Sequence, residues 1–313
     1  RSAHVDAKTN FAHALIVATL LAEMIWKRCM GGYTMEPMVN PTSLMETAAT
    51  IAVGAAELIT RQRAEIVSLD EVTTTKSSDV DPVTIVDKSA EDYIADQLAQ
   101  LRPEDGLLGE EGGNRSSKSG VTWIVDPIDG TVNFLYGIPQ YAVSIAAEYG
   151  GEIIAGAVVN VQTGELFHAA HDEGAWLQQA GQKQRLRVTS KSELHTALVA
   201  TGFGYDASRR AVQASLLGNI LPHIRDIRRF GSAALDLCAV AAGRVDAYYE
   251  HGLNAWDFAA GLLIAQEAGA KVWAPSPSMP GSAGEIIVVA APEVAEEMYA
   301  LLQSIGALKP LAH

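Results

Sequence analysis

Cysteine is scarce in this chain. Its 313 residues include only Cys29 and Cys238. Two thiols cannot build a disulfide framework or a four-cysteine zinc site, and a reducing, cytoplasmic setting is the simplest expectation. Basic residues are also few: 23 Lys and Arg stand against 37 Asp and Glu, a formal net charge of −14. Nucleic acids and anionic membranes need basic patches, so neither is expected as a partner. That balance suits a protein that gathers carboxylates around cations. Long apolar runs are missing too. Residues 14–22, ALIVATLLA, are too short to cross a bilayer, and Glu23 and Lys27 follow at once. There is no internal repeat and no low-complexity tract. What is present is a 48% hydrophobic chain, enough for one large or two ordinary domains.

Residues 1–41 are expected to be a leader, non-native or poorly ordered, because no basic segment precedes the apolar run as a signal peptide requires. Met35, Met38 and Met45 are candidate native starts. Two domains are expected beyond it, an α+β domain over 42–190 and an α/β domain over 191–313. In the first, Ser43 and Glu46 form an S-x-x-E capping box ahead of a helix to about Glu65, with Ile51, Ala55, Leu58 and Ile59 at helical spacing. Asp87 is placed to cap a helix ending near Leu101. Candidate strands at 141–148, 152–160, 164–169 and 174–179 are separated by glycine-containing turns. From about residue 190 the pattern alternates. Strands near 196–201, 245–250, 271–274 and 286–290 are interleaved with helices at 207–219, 232–242, near Trp256 and at 292–304.

The stretch Val121–Phe134, VTWIVDPIDGTVNF, carries the chemistry. Val121 to Val125 reads as a buried strand that stops at Asp126, since Pro127 lacks the N–H for further pairing. Asp129 follows, Gly130 permits an unusual backbone conformation, and Thr131 is placed to cap a helix. Carboxylates at a strand end suit a hard cation such as Mg²⁺, and free N–H groups at a helix start suit a phosphate. Taken alone, D-P-x-D-G is equally a surface turn. Glu110 and Glu111, in GLLGEEGG, and Asp257, in NAWDFAAG, also have plain readings, a solvated turn and a first-turn helix acid. Their joint occurrence beside D-P-x-D-G-T points to one acidic site, among whose members the spacing places no Lys or Arg. Other signals are weaker. His168 and His171 make H-x-x-H with no third ligand. Gly202-Phe-Gly204 falls short of a dinucleotide fingerprint. Cys238 reads as a small core residue. Lys76 is either an anion-steering group or a solvated surface lysine.

Five segments together resemble the inositol monophosphatases: GEE at 109–111, WIVDPIDGTVNF at 123–134, WDFAAG at 256–261, KSSDVDPVTIVD at 76–87 and GSAALDLCAVAAGRVDAYYEHG at 231–252. That family belongs to the lithium-sensitive, magnesium-dependent phosphatase superfamily that includes fructose-1,6-bisphosphatase, and the likeness, of bacterial type, runs from about residue 45 to the C-terminus. It implies a layered α-β-α-β-α sandwich and up to three Mg²⁺ per subunit. Glu110, Asp126 and the Ile128 carbonyl would hold the first. Asp126, Asp129 and Asp257 would hold the second, and a looser third would lie near Glu110. Asp87 and Thr131, with Glu110, would activate the attacking water. Gly130 and Thr131 would hold the phosphate through their N–H groups, and Asp129, Ala233 and Glu250 would face the rest of the substrate. The resemblance further implies a homodimer acting on a small-molecule phosphate ester, with myo-inositol 1-phosphate expected first. Fructose-1,6-bisphosphate, NADP, a 3′-phosphonucleotide and histidinol phosphate are the alternatives, and some bacterial relatives have a regulatory binding role.

Overall fold

The computed structural model describes residues 39–65, 73–75 and 82–311. The expected leader lies almost wholly outside the described residues, as do Cys29 and the KSSDVD stretch with Lys76. Helix α1 (Pro41–Glu65) opens at Pro41, not at the expected Ser43 cap. Proline's fixed φ and missing N–H suit a first helical position. Ser43 is therefore helical, and its carbonyl accepts the Thr47 hydroxyl at 2.9 Å. Ile51, Ala55 and Ile59 are buried at four-residue spacing, the stripe that seats a helix on a sheet.

A short hairpin, β1 (Thr73–Thr75) and β2 (Pro82–Thr84), leads into α2 (Ile85–Leu101). Then come β3 (Gly106–Gly109), β4 (Asn114–Arg115), β5 (Val121–Asp129), the short α3 (Thr131–Tyr136), β6 (Ala142–Tyr149), β7 (Glu152–Asn160), β8 (Leu166–Ala170), β9 (Gly174–Gln179) and β10 (Gln182–Arg185). From β3 onward these strands form a sheet of order β10-β9-β8-β7-β6-β5-β3-β4, in which only the β3–β5 pair is parallel. The chain continues through β11 (Leu198–Thr201), α4 (Ala207–Ile220), β12 (Asp226–Arg228), α5 (Ala233–Ala241), β13 (Ala247–His251), α6 (Ala255–Glu267), β14 (Lys271–Trp273), β15 (Ile286–Ala290) and α7 (Pro292–Ser304). Its strands form a second sheet, β12-β11-β13-β15-β14. Strands β1, β4, β10 and β12 have no counterpart in the sequence reading. β10, QKQR, is exposed throughout and paired only with β9, and a polar edge strand offers no hydrophobic alternation to read.

Alternation along the smaller sheet shows the layering. Tyr248, Ile287 and Val289 share a core with α5, α6 and with Val158 and Phe167 of the larger sheet. Ala247, Tyr249, Val288 and Ala290 face the opposite way, onto Leu216 and Ile220 of α4 and Val294 and Met298 of α7. Helix α1 packs on β6, β7 and β8, and α2 packs beside it on β5. The order is thus α1/α2, larger sheet, α5/α6, smaller sheet, α4/α7, the α-β-α-β-α sandwich implied by the resemblance. The middle layer must be apolar on every side, and all 9 residues of α5, AALDLCAVA, are buried. Among the described residues no helix is long and apolar enough to cross a membrane.

The middle layer is tight enough to require glycine. A Cβ on Gly156 of β7 would lie 3.0 Å from the Ala260 Cα, and one on Gly261 of α6 would lie 2.8 Å from the Leu237 Cβ. Gly218, on the exposed face of α4, would meet nothing within 4 Å. Overpacking costs about 1–3 kcal/mol, whereas Gly→Ala in an open helix gains up to about 1 kcal/mol. Gly261→Ala is therefore expected to lower the melting temperature by several degrees and Gly218→Ala to leave it unchanged or raise it. Calorimetry of the two variants checks this, and equal effects would contradict the close approach of α5 and α6.

Candidate active site

Strand β5 does not stop at Asp126, as the sequence predicts, but runs to Asp129 through Pro127. Asp126 pairs with Ser144 and Asp129 with Ala142, so β5 holds one residue more than its partner across this step. In a regular strand, residues three apart point to opposite faces. The extra residue of the bulge turns both carboxylates to one side. The Ile128 N–H, freed from the ladder, donates to Asp126 Oδ1 at 3.0 Å. Gly130 has φ +94°, and a Cβ there would lie 3.0 Å from two carbonyl oxygens, those of Gln140 and Gly231. Gly130 itself is the cap of α3, so Thr131 is the first helical residue and not the expected cap.

The other expected residues converge on this turn. Asp87, buried in the first turn of α2 and not its cap, lies 3.4 Å from the Thr131 hydroxyl. That hydroxyl also donates to the Ile128 carbonyl at 3.0 Å, leaving the carbonyl a second lone pair. Asp257 opens α6, where its Oδ2 accepts the Asn254 N–H at 2.7 Å. Its capping role and its place in the site are both present. Asp126, Asp129 and Asp257 each offer an oxygen within 4.8 Å of the others. Glu110 falls outside that group but lines the same cavity, with Ile128, Gly130, Thr131, Ala233 and Glu250. Glu111 turns its N–H to Glu91 Oε2 at 2.7 Å, and Glu91 Oε1 takes the Gly113 N–H at 2.8 Å. Glu91, buried one turn after Asp87 on α2, thus clamps the loop that carries Glu110. Sequence reading missed it, although two carboxylates four residues apart on a helix share a face.

Burial is the main strain on these acids. It raises Asp126 well above the usual carboxylate range, and Glu110, Asp129, Asp257 and Asp87 raise it further. Asp257 is raised by burial, then by Glu110 and Asp129. Burial pushes Asp129 up to about 6, against its hydrogen bonds from the Ser232 hydroxyl and the Ala234 N–H and the opposing charge of Arg229. Arg229 corrects the expectation of a site without a base: it lines the cavity, the one Lys or Arg to do so among the described residues. It lies 100 residues beyond Asp129, on the loop between β12 and α5, where no local spacing announces it. An oxygen-only donor set, close-spaced and short of cations, fits a hard divalent ion.

Opposite the aspartates, Glu250 of β13 accepts the Tyr248 hydroxyl at 2.6 Å, and burial lifts it to about 7. Gly202 makes room for it, since a Cβ there would stand 1.9 Å from the Glu250 carboxylate. That is the structural reason for a glycine in the Gly202-Phe-Gly204 stretch. Ser232 and Asp236, both buried on or beside α5, complete this wall and were also missed. His168 is buried in β8 while His171 sits exposed beside Asp172. Neither belongs to a metal-ligand group among the described residues.

A carboxyl whose pKa is raised by folding holds more protons folded than unfolded, so stability falls as pH rises through the window between the two values. For Asp129 and Glu250 that window runs from their ordinary values near 4 to about 7. Without metal, the protein is expected to melt at progressively lower temperature from about pH 5 to about pH 7.5. Asp126→Asn keeps an acceptor for the Ile128 N–H but removes one charge. In chelator at neutral pH it should melt higher than the parent, and saturating Mg²⁺ should reverse the order. A mutant that melts lower in chelator would contradict this electrostatic picture.

The Inositol monophosphatase family matches residues 40–307. The inositol-1-monophosphatase of Mycobacterium bovis is 49% identical over 286 residues, 88% of this chain and 98% of that protein. The solved structure of Mycobacterium tuberculosis SuhB superposes with a TM-score of 0.76 at 48% identity, over 87% of this chain and 100% of that one. A protein named Nus factor SuhB, from Pasteurella multocida, is 39% identical over 236 residues, 75% of this chain and 87% of its own. With both sheets and every residue of the carboxylate cavity inside the matched span, the chain belongs to the inositol monophosphatase family.

Proposed function

We propose that the chain hydrolyses a phosphomonoester with Mg²⁺, and that myo-inositol 1-phosphate is its preferred substrate. The observation that carries this reading is the convergence of Asp126, Asp129 and Asp257 within 4.8 Å, beside the Thr131–Asp87 pair. Asp126, Asp129 and Asp257, with Glu110 and the Ile128 carbonyl, would hold up to three ions. When bound, Mg²⁺ supplies positive charge against the phosphoryl oxygens and makes water more acidic. The Thr131 hydroxyl and the Asp87 carboxylate orient the attacking water, and Asp87, assisted by Glu110, takes its proton. Water oxygen bonds to phosphorus as the ester P–O bond breaks, and the departing alkoxide oxygen takes a proton from solvent to leave as the alcohol. Direct attack by water needs no covalent intermediate, and no His or Cys lines the cavity among the described residues. The Gly130 and Thr131 N–H groups hold the phosphate. Ala233 and Glu250 meet the hydroxyls of the alcohol.

The name of the Pasteurella multocida relative, Nus factor SuhB, supports a second reading, an additional regulatory binding role beside catalysis. The net charge of −14 favours protein over RNA as the partner in such a role. The family resemblance also carries the proposal of a cytoplasmic homodimer, which sedimentation of the native protein tests.

Phosphate release from a panel of esters tests the catalytic reading. Turnover of myo-inositol 1-phosphate is expected to exceed that of the sugar and nucleotide phosphates. It should fall to background in chelator and fall in millimolar Li⁺ or excess Ca²⁺, which relaxes the octahedral geometry that Mg²⁺ demands. Full turnover in chelator would overturn the metal role. Preference for another ester would change the substrate and leave the mechanism standing.

A further inference from the structure

Asp236 is the one charged residue of α5, a helix buried along its entire length. It is 1% exposed. A buried polar group without a hydrogen bond costs about 1–3 kcal/mol, so its retention calls for an explanation. Its neighbours have partners: Asp129 takes the Ser232 hydroxyl and the Ala234 N–H, and Glu250 takes the Tyr248 hydroxyl. The Oδ1 of Asp236 has none within the protein. Asp236 nonetheless lines the cavity, on the wall shared with Glu250 and Arg229.

We propose that Asp236 contacts the substrate and sets specificity by hydrogen-bonding a hydroxyl of a polyol phosphate next to Glu250. Asp236 lies outside the group formed by Asp126, Asp129 and Asp257, lines the cavity with Glu250, and feels Glu250 before any other charge, which sets it beside the residue proposed to meet the alcohol. Two adjacent buried carboxyls suit hydroxyls, each of which is donor and acceptor at once. Burial first, and then Glu250, raises Asp236, which lets the pair keep a proton and donate as well as accept. An aryl ester without hydroxyls would leave Asp236 unanswered. This rests on the phosphomonoesterase reading and narrows it to polyhydroxylated alcohols.

The experiment compares Asp236→Ala and Asp236→Asn with the parent in saturating Mg²⁺, on myo-inositol 1-phosphate, glycerol 2-phosphate and phenyl phosphate. For Asp236→Ala the KM for inositol 1-phosphate is expected to rise about 10-fold, with kcat and the constants for phenyl phosphate within about 2-fold. Asp236→Asn, which keeps an acceptor and the shape, should recover part of the loss. In chelator both variants should melt no lower than the parent, because a buried charge has been removed. Equal losses on the hydroxylated and the aryl ester, no loss on either, or a parent active only on phenyl phosphate would each overturn the assignment. Should the parent prefer glycerol 2-phosphate, only the inositol reading fails, and the same contrast against phenyl phosphate still decides the role of Asp236.

Discussion

Carboxylates taken out of water and set against one another are the constraint that governs this structure. Burial is the first cause of the raised pKa values of Asp126, Asp129 and Asp257, and mutual repulsion adds to it for Asp126 and Asp257. Each charge so placed opposes folding, and Arg229 offsets only part of it. An ion bound by mass action contributes what the protein lacks. The same arrangement that destabilises the metal-free chain therefore prepares it for a cation.

Holding the acids in place takes groups from across the sandwich. The bulge in β5 brings Asp126 and Asp129 to one side, and Gly130 turns the chain where no side chain fits. Asp129 is fixed by the start of α5, Asp257 by Asn254 and the Glu110 loop by Glu91. The larger sheet thus supplies the aspartates of β5 and the smaller one Glu250 of β13. The tight packing of α6 between them, at Gly156 and Gly261, keeps the two halves of the cavity at working distance. This is how a layered fold becomes a site: Asp126 and Asp129 come from one sheet, Glu250 from the other, and Asp257 from a helix between them.

The sequence announced what is local. A buried strand followed by D-P-I-D-G-T marks the acidic site once Glu110 and Asp257 are set beside it, and alternation with glycine punctuation marks β6 to β9. What stayed hidden is set by contacts over long separations. The Ser232 hydroxyl reaches Asp129 across 103 residues. Arg229 comes near Asp129 only because the second sheet folds back. Pro127 was read as a strand terminator when it marks a bulge, because proline is compatible with both. AALDLCAVA, apolar at every position but Asp236, has the pattern of a helix buried all round, yet no local spacing links Asp236 to the acidic site. Strand β10 is polar and takes its conformation from β9 alone.

Calorimetric titration of the apo protein with Mg²⁺, repeated in buffers of different ionisation enthalpy, tests the central claim most directly. Binding must displace the protons that burial and repulsion hold on the aspartates. Near pH 6 the account predicts net proton release on binding, shrinking as pH rises and lost together with the binding heat in Asp126→Asn. Mg²⁺ binding with no proton release at pH 6, or binding that survives the loss of Asp126, would contradict it.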